Sequence, residues 1–277
     1  MWATAGDGFE FASVLSQRIL DPSVQNMRAL GQARAQEARA AAAVLGVPAD
    51  HTFMLGYPDG GLFSLFTTAY DERYVSPHSG AGAVCVNGAL ERLSVALPGK
   101  SAQSTPLPPA PTCISLAPLG CKRFISFTSN AREADLNRVL DSVQPDLVLA
   151  PAPQDVHPDH LTLSSLAVRL LSARQQAGEL RFWVVHGGLE WPLPKGLHPS
   201  LSLTLPPLTA TLFWTRVDLT AQQVGRKVRA IDVYRSQTRV MSRFLHSFVR
   251  ANELLSLEAQ PTATAPHPAF YRPLTSH

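Results

Sequence analysis

The stretch Leu147-Val148-Leu149-Ala150-Pro151-Ala152-Pro153-Gln154-Asp155-Val156-His157-Pro158-Asp159-His160 governs the reading of the whole chain, because within it an apolar run stops and a cluster of ligand-type side chains begins. Four consecutive apolar residues, Leu147 to Ala150, predict a short parallel strand covered on both faces. From Pro158 the pattern becomes helical: proline suits a first helical position, and Leu161, Leu163, Leu166, Val168, Leu170 and Leu171 supply a core-facing stripe. His157, Asp159 and His160 therefore stand where the carboxyl end of a strand meets a helix start, the edge at which open α/β sheets bind ligands. Neutral imidazole is the commonest protein metal ligand, and a neighbouring carboxylate can orient it. The same residues also suit a plain helix start, with Asp159 facing free backbone amides and the histidines serving as polar loop residues. Both readings stand at this point.

Bulk properties narrow the class. A chain of 277 residues with 45% hydrophobic and 16% charged content buries a large core and is not disordered throughout. The formal net charge of +3 is spread without a dense basic run, which argues against a nucleic-acid partner. Cys85, Cys113 and Cys121 form no Cys-x-x-Cys pair, which argues against a disulfide framework and a thiolate zinc site and fits a reducing, cytoplasmic setting. The longest apolar tract, Ala40 to Val47, is far short of the roughly 18 residues of a membrane span. Gly6, Asp7 and Glu10 interrupt any signal-peptide pattern at Met1.

Outward from the central stretch, the elements alternate. Thr4-Ala5-Gly6-Asp7-Gly8 reads as the end of a strand running into a turn or ligand loop. Arg28 to Gly46 is rich in Ala, Arg, Gln and Glu and predicts a helix, on which Arg34 and Glu37 share a face as an exposed i,i+3 pair. Thr52 to Leu55 predicts a strand ended by the Pro58-Asp59-Gly60 turn, where Asp59 either caps its own backbone or reaches a ligand. Periodicity is lost from Tyr74 to Gly120. Arg123 to Phe127 predicts a strand, and Asn130-x-x-Glu133 starts a helix over Ala131 to Val143. The helix begun at Pro158 is expected to run to near Gly178. Leu180 to Val185 and Leu212 to Val217 follow as strands; His186, between them, reads as a polar loop residue that ranks below Arg34 as a site candidate. Thr220-x-x-Gln223 opens a helix ending near Tyr234. Residues 1–258 are expected to form one domain with a Pro-rich insertion at about 98–120, followed by a tail over 259–277.

Five separated elements resemble the LmbE/PIG-L family of zinc-dependent N-acetylglucosaminyl deacetylases. Asp155-x-His157-Pro158-Asp159-His160 after a strand is similar to its second signature, and Thr4-Ala5-Gly6-Asp7 to the loop after its second strand. Arg34-x-x-Glu37 with Ala41, Ala42, Leu45 and Gly46 is similar to a family helix, and Leu55-Gly56-Tyr57-Pro58-Asp59-Gly60 to the loop after its third strand. Lys227-x-x-Ala230-Ile231-x-x-Tyr234-x-Ser236-Gln237 resembles its last characteristic element, in which Gln237 is structural.

The resemblance implies a Rossmann-like α/β fold with a mainly parallel sheet, and hydrolysis of an acetamide on a small amino-sugar substrate. It implies zinc held by His160, with His157 donating to the oxyanion or the leaving amine and Asp159 orienting and charge-tuning His157. Arg34, Asp59 and Asp7 would hold the sugar; homo-oligomerisation stays open. In the family a first strand, a His-Pro-Asp-Asp loop carrying the other metal ligands and the general base, and a first helix precede the Thr-x-Gly-Asp loop, and this chain shows none of them. The expectation is a longer enzyme whose start lies upstream, or else an inactive relative acting as a non-catalytic binding protein. A chain beginning at Met1 is expected to be inactive, partly unfolded and a weak zinc binder through His160 alone.

Overall fold

A computed structural model describes residues 1–67, 75–80, 83–85, 124–126 and 129–257. The Pro-rich centre of the expected insertion and the tail beyond 258 lie outside the described residues. The strands are β1 (Trp2–Thr4), β2 (Met54–Tyr57), β3 (Ala83–Cys85), β4 (Phe124–Ser126), β5 (Val148–Pro151), β6 (Leu180–Trp183), β7 (Trp214–Asp218) and β8 (Asn252–Ser256). The α-helices are α1 (Glu10–Gln17), α2 (Val24–Leu45), α3 (Gly61–Thr67), α4 (Ser129–Val143), α5 (Pro158–Ala173), α6 (Ala221–Val233) and α7 (Arg235–His246). The protein is thus mixed α/β. Among the described residues, parallel pairing is confined to β1–β2 and β5–β6; β3–β4 is antiparallel, and β7 and β8 extend the second parallel pair antiparallel in the order β5-β6-β8-β7.

Local chemistry accounts for the helix limits. Ser23 and Asn26 form a reciprocal capping box at the start of α2, and Gly46 ends it in the left-handed region at φ 88°. Met27, Leu30, Gly31, Ala38, Ala41 and Ala42 give α2 its buried stripe. Thr220 and Gln223 cap α6 in the same reciprocal way. Tyr234-x-Ser236-Gln237, expected to close the helix of Thr220, instead leads into α7, whose first turn holds Ser236 and Gln237.

The core lies around α5. Leu166 and Leu170 pack with Leu55, Tyr57, Leu62, Leu136 and Val139, whereas Leu171 faces Ala150, Ala152, Leu180, Phe182 and Trp191. Each such side chain contributes about 1.5–3 kcal/mol on burial, so α5 is fixed against both parallel pairs and its N-terminus is placed between their carboxyl ends. A smaller cluster of Ala12, Met27 and Leu30 joins α1 to α2.

One strand departs from expectation. Val148 and Ala150 face the core, but Leu147 and Leu149 are about half exposed, so the strand is not covered on both faces. The reason is position: β5 is an edge of its sheet among the described residues, and an apolar run by itself does not say what covers it. No helix among the described residues is long and apolar enough to cross a membrane.

Candidate metal and amide-hydrolysis site

The register Pro151↔Trp183 sets the ends of β5 and β6 side by side, which brings the residues after them into contact. Asp155, 1% exposed, is the hub. Its Oδ2 accepts the backbone N–H groups of Val185 (2.9 Å) and His186 (3.0 Å). Its Oδ1 accepts the His157 N–H (3.0 Å) and lies 2.9 Å from His186 Nδ1. Burial works against the charge on Asp155, but the contacts with His160 and His186 outweigh it and hold the carboxyl well below the ordinary carboxylate range.

His157 is the N-cap of α5, and its Nδ1 accepts the Asp159 N–H at 3.2 Å. An accepting Nδ1 leaves the proton on Nε2, so His157 presents a donor to the site. Burial, then the nearby His160, lower its pKa and favour this neutral form. The rings of His157, His160 and His186 are mutual neighbours, with centroids 4.8, 5.6 and 5.4 Å apart.

Asp159, 4% exposed, turns its carboxylate away from His157. Its Oδ2 accepts Gly60 N–H (2.7 Å) and its Oδ1 accepts Leu62 N–H (3.2 Å), which ties the first turn of α5 to the loop opening α3. The expected orientation of His157 by Asp159 therefore runs through the Asp159 main chain. Burial, with Asp59 nearby, pushes the Asp159 pKa up to about 6.

Asp7 Oδ1 accepts the Asp59 N–H at 2.8 Å, joining the loops after β1 and β2. Arg34 donates from Nη1 to the Gly6 carbonyl at 2.5 Å and lies over the Phe9 ring at 5.7 Å. Gly6 is needed there: its φ is +66°, and a Cβ would meet Arg34 Nη1 at 2.8 Å. Burial lowers the Arg34 pKa, while Asp59, Glu37 and Asp7 oppose that effect in this order. Arg34 and Glu37 are not partners in an ion pair: Glu37 instead accepts both the N–H (2.8 Å) and the hydroxyl (2.6 Å) of Ser236. Asp59 acts electrostatically on Arg34, His157 and Asp159 alike, so the two motif groups meet around it. A mostly apolar cavity of about 380 Å³ lies elsewhere, between Trp2, the end of α2 and α6.

The donor atoms of Asp155, His160 and His186 lie within 4.8 Å of one another, and His160 Nδ1 is a buried atom without a hydrogen-bond partner, although it stands 3.0 Å from Asp155 Oδ1. Two imidazoles and a carboxylate suit a borderline divalent ion, so the residues present fit a metal. From sequence alone Asp155 carries no assigned role and His186 ranks below Arg34. The usable signal was that the ends of adjacent parallel strands are neighbours in space.

The fold is mixed α/β, and its His/Asp cluster at the ends of parallel strands could hold a metal ion. The chain belongs to the PIG-L family, described as GlcNAc-PI de-N-acetylase, whose family model matches residues 1–171, more than half of it. That description is of a deacetylase, which sets the coarse class as a hydrolase. No curated protein and no solved structure matches the chain.

Proposed function

We propose that this protein is a zinc-dependent hydrolase that removes the N-acetyl group from a glucosamine-containing small molecule. The observation that carries the reading is the gathering of His157, His160 and Asp155 with the Asp7–Asp59–Arg34 loops, four stretches far apart in sequence.

Zinc held at His160 would supply Lewis acidity and would lower the pKa of a water toward about 7. The protein's own part is positioning. His157, neutral and carrying its proton on Nε2, donates to the oxygen that gains charge as the amide carbonyl becomes tetrahedral. Transfer of a proton to the departing amine is the second role open to it. Asp159 places His157 through its backbone N–H and ties the Gly60–Leu62 backbone into the site. Asp59 and Asp7 accept sugar hydroxyls, and Arg34 donates to them from beneath the Gly6 turn.

The test is acetate and free-amine release from a panel of N-acetylglucosaminides by zinc-loaded protein. His160→Ala is expected to lose zinc and turnover together, and His157→Ala to keep zinc while turnover falls about 10²–10³-fold. Saturable binding of the panel without acetate release would instead indicate a non-catalytic binding relative and overturn the reading.

A further inference from the structure

We infer that the metal is held by three residues of one short region, with His186 and Asp155 as ligands beside His160. This rests on the metal-dependent reading above and departs from the expectation of His160 as the one ligand in this chain.

The first support is spacing. Asp155 Oδ1 lies 3.0 Å from His160 Nδ1 and 2.9 Å from His186 Nδ1. Ligand atoms about 2.0–2.1 Å from a tetrahedral zinc are separated by about 3.3 Å, so these two separations need to open by a few tenths of an ångström, and all three ligand atoms lie within 4.8 Å of one another.

The second is an unsatisfied atom. A cluster held by hydrogen bonds alone would give His160 Nδ1 an aligned partner, because a buried polar atom without one is costly. His160 Nδ1 has none, although a carboxylate oxygen is at contact distance. An ion accepting both lone pairs resolves the mismatch.

The third is the supporting shell. Ligating carboxylates are usually fixed by hydrogen bonds, and Asp155 takes N–H groups from His157, Val185 and His186. His186 is wedged between the rings of His157 and Phe244, with centroids 5.6 and 6.5 Å away. His157 is set apart, because its Nδ1 is engaged by the Asp159 amide. Three protein ligands with a remaining open position are the pattern of a catalytic rather than a structural zinc site.

The experiment reads metal alone. Zinc affinity is measured on the 277-residue chain by competition with a chromophoric chelator, and cobalt(II) is substituted to record its visible bands. One zinc per chain is expected. His186→Ala and His160→Ala should each weaken zinc by at least about 100-fold and change the cobalt bands, whereas His157→Ala should stay within about threefold. Asp155→Asn carries a folding risk, so thermal unfolding of each metal-free variant is recorded and His186→Ala is the deciding change, since it removes no backbone acceptor. A parent chain that binds no stoichiometric zinc, or a folded His186→Ala variant within threefold of the parent, overturns the ligand set. Zinc held as described without acetate release would sink the deacetylase reading and leave this one standing.

Discussion

Replacing Glu37 by alanine should destabilise the fold far more than an exposed helix carboxylate normally does. Glu37 belongs to α2, yet both its oxygens are used 199 residues away by Ser236, whose N–H and hydroxyl bind at 2.8 and 2.6 Å. Ser236 is 6% exposed, and Tyr234, which precedes α7, offers no side-chain cap. Glu37 is therefore a cap supplied from another helix for one of the free amides of the first turn. Hydrogen bonds to a charged group are worth about 1.5–3 kcal/mol each. Partial exposure of Glu37 argues for the lower end, so Glu37→Ala should cost about 2–4 kcal/mol and Ser236→Ala, which keeps the amide bond, about 1–2 kcal/mol. Equilibrium urea unfolding at neutral pH measures both, and the double variant should show a coupling above about 0.5 kcal/mol. A Glu37→Ala midpoint within about 0.5 kcal/mol of the parent at unchanged m-value would refute the capping role.

Three further outcomes are expected. Phe182, 1% exposed in the core beside α5, should cost about 3–5 kcal/mol when cut to alanine, read from the shift in denaturation midpoint; a loss under 1 kcal/mol would mean the site collapses around it. Gly187→Ala should destabilise by about 1–3 kcal/mol, because its new Cβ would overlap the Pro206 side chain and press on Trp191 and Val184; an unchanged melting temperature would show that the loop gives way freely. Burial raises the Tyr234 pKa. The neutral form is thus favoured in the fold, and the stability it supports is present below pH 10 and lost as pH rises through the folded pKa. Tyr234→Phe should flatten the alkaline fall in stability, and an identical slope in both proteins would remove Tyr234 as its cause.

The sequence by itself determined the elements whose signals are local. Proline after His157 marks the start of α5, Gly46 ends α2, and Thr220 with Gln223 caps α6, each acting within a few residues along the chain, whereas α2 begins at Val24 behind its Ser23 cap and not at the expected Arg28. The site roles of His157, Asp159, His160, Asp59, Arg34 and Asp7 came from the family resemblance, because the residues alone fit a helix start, two turns and an exposed ion pair equally well. Tertiary structure alone decided the partners. Nothing near Glu37 in sequence points to Ser236, and the i,i+3 spacing with Arg34 suggested a different pair. Asp159 looked like the partner of the His157 ring but spends its carboxylate on Gly60 and Leu62, because the packing of α5 against α3 brings those amides within reach. His186 meets Asp155 only through the parallel pairing of β5 with β6, which brings the two together across 31 residues of chain. A hydrogen bond or a metal ligand depends on distance in space, whereas sequence patterns record only distance along the chain.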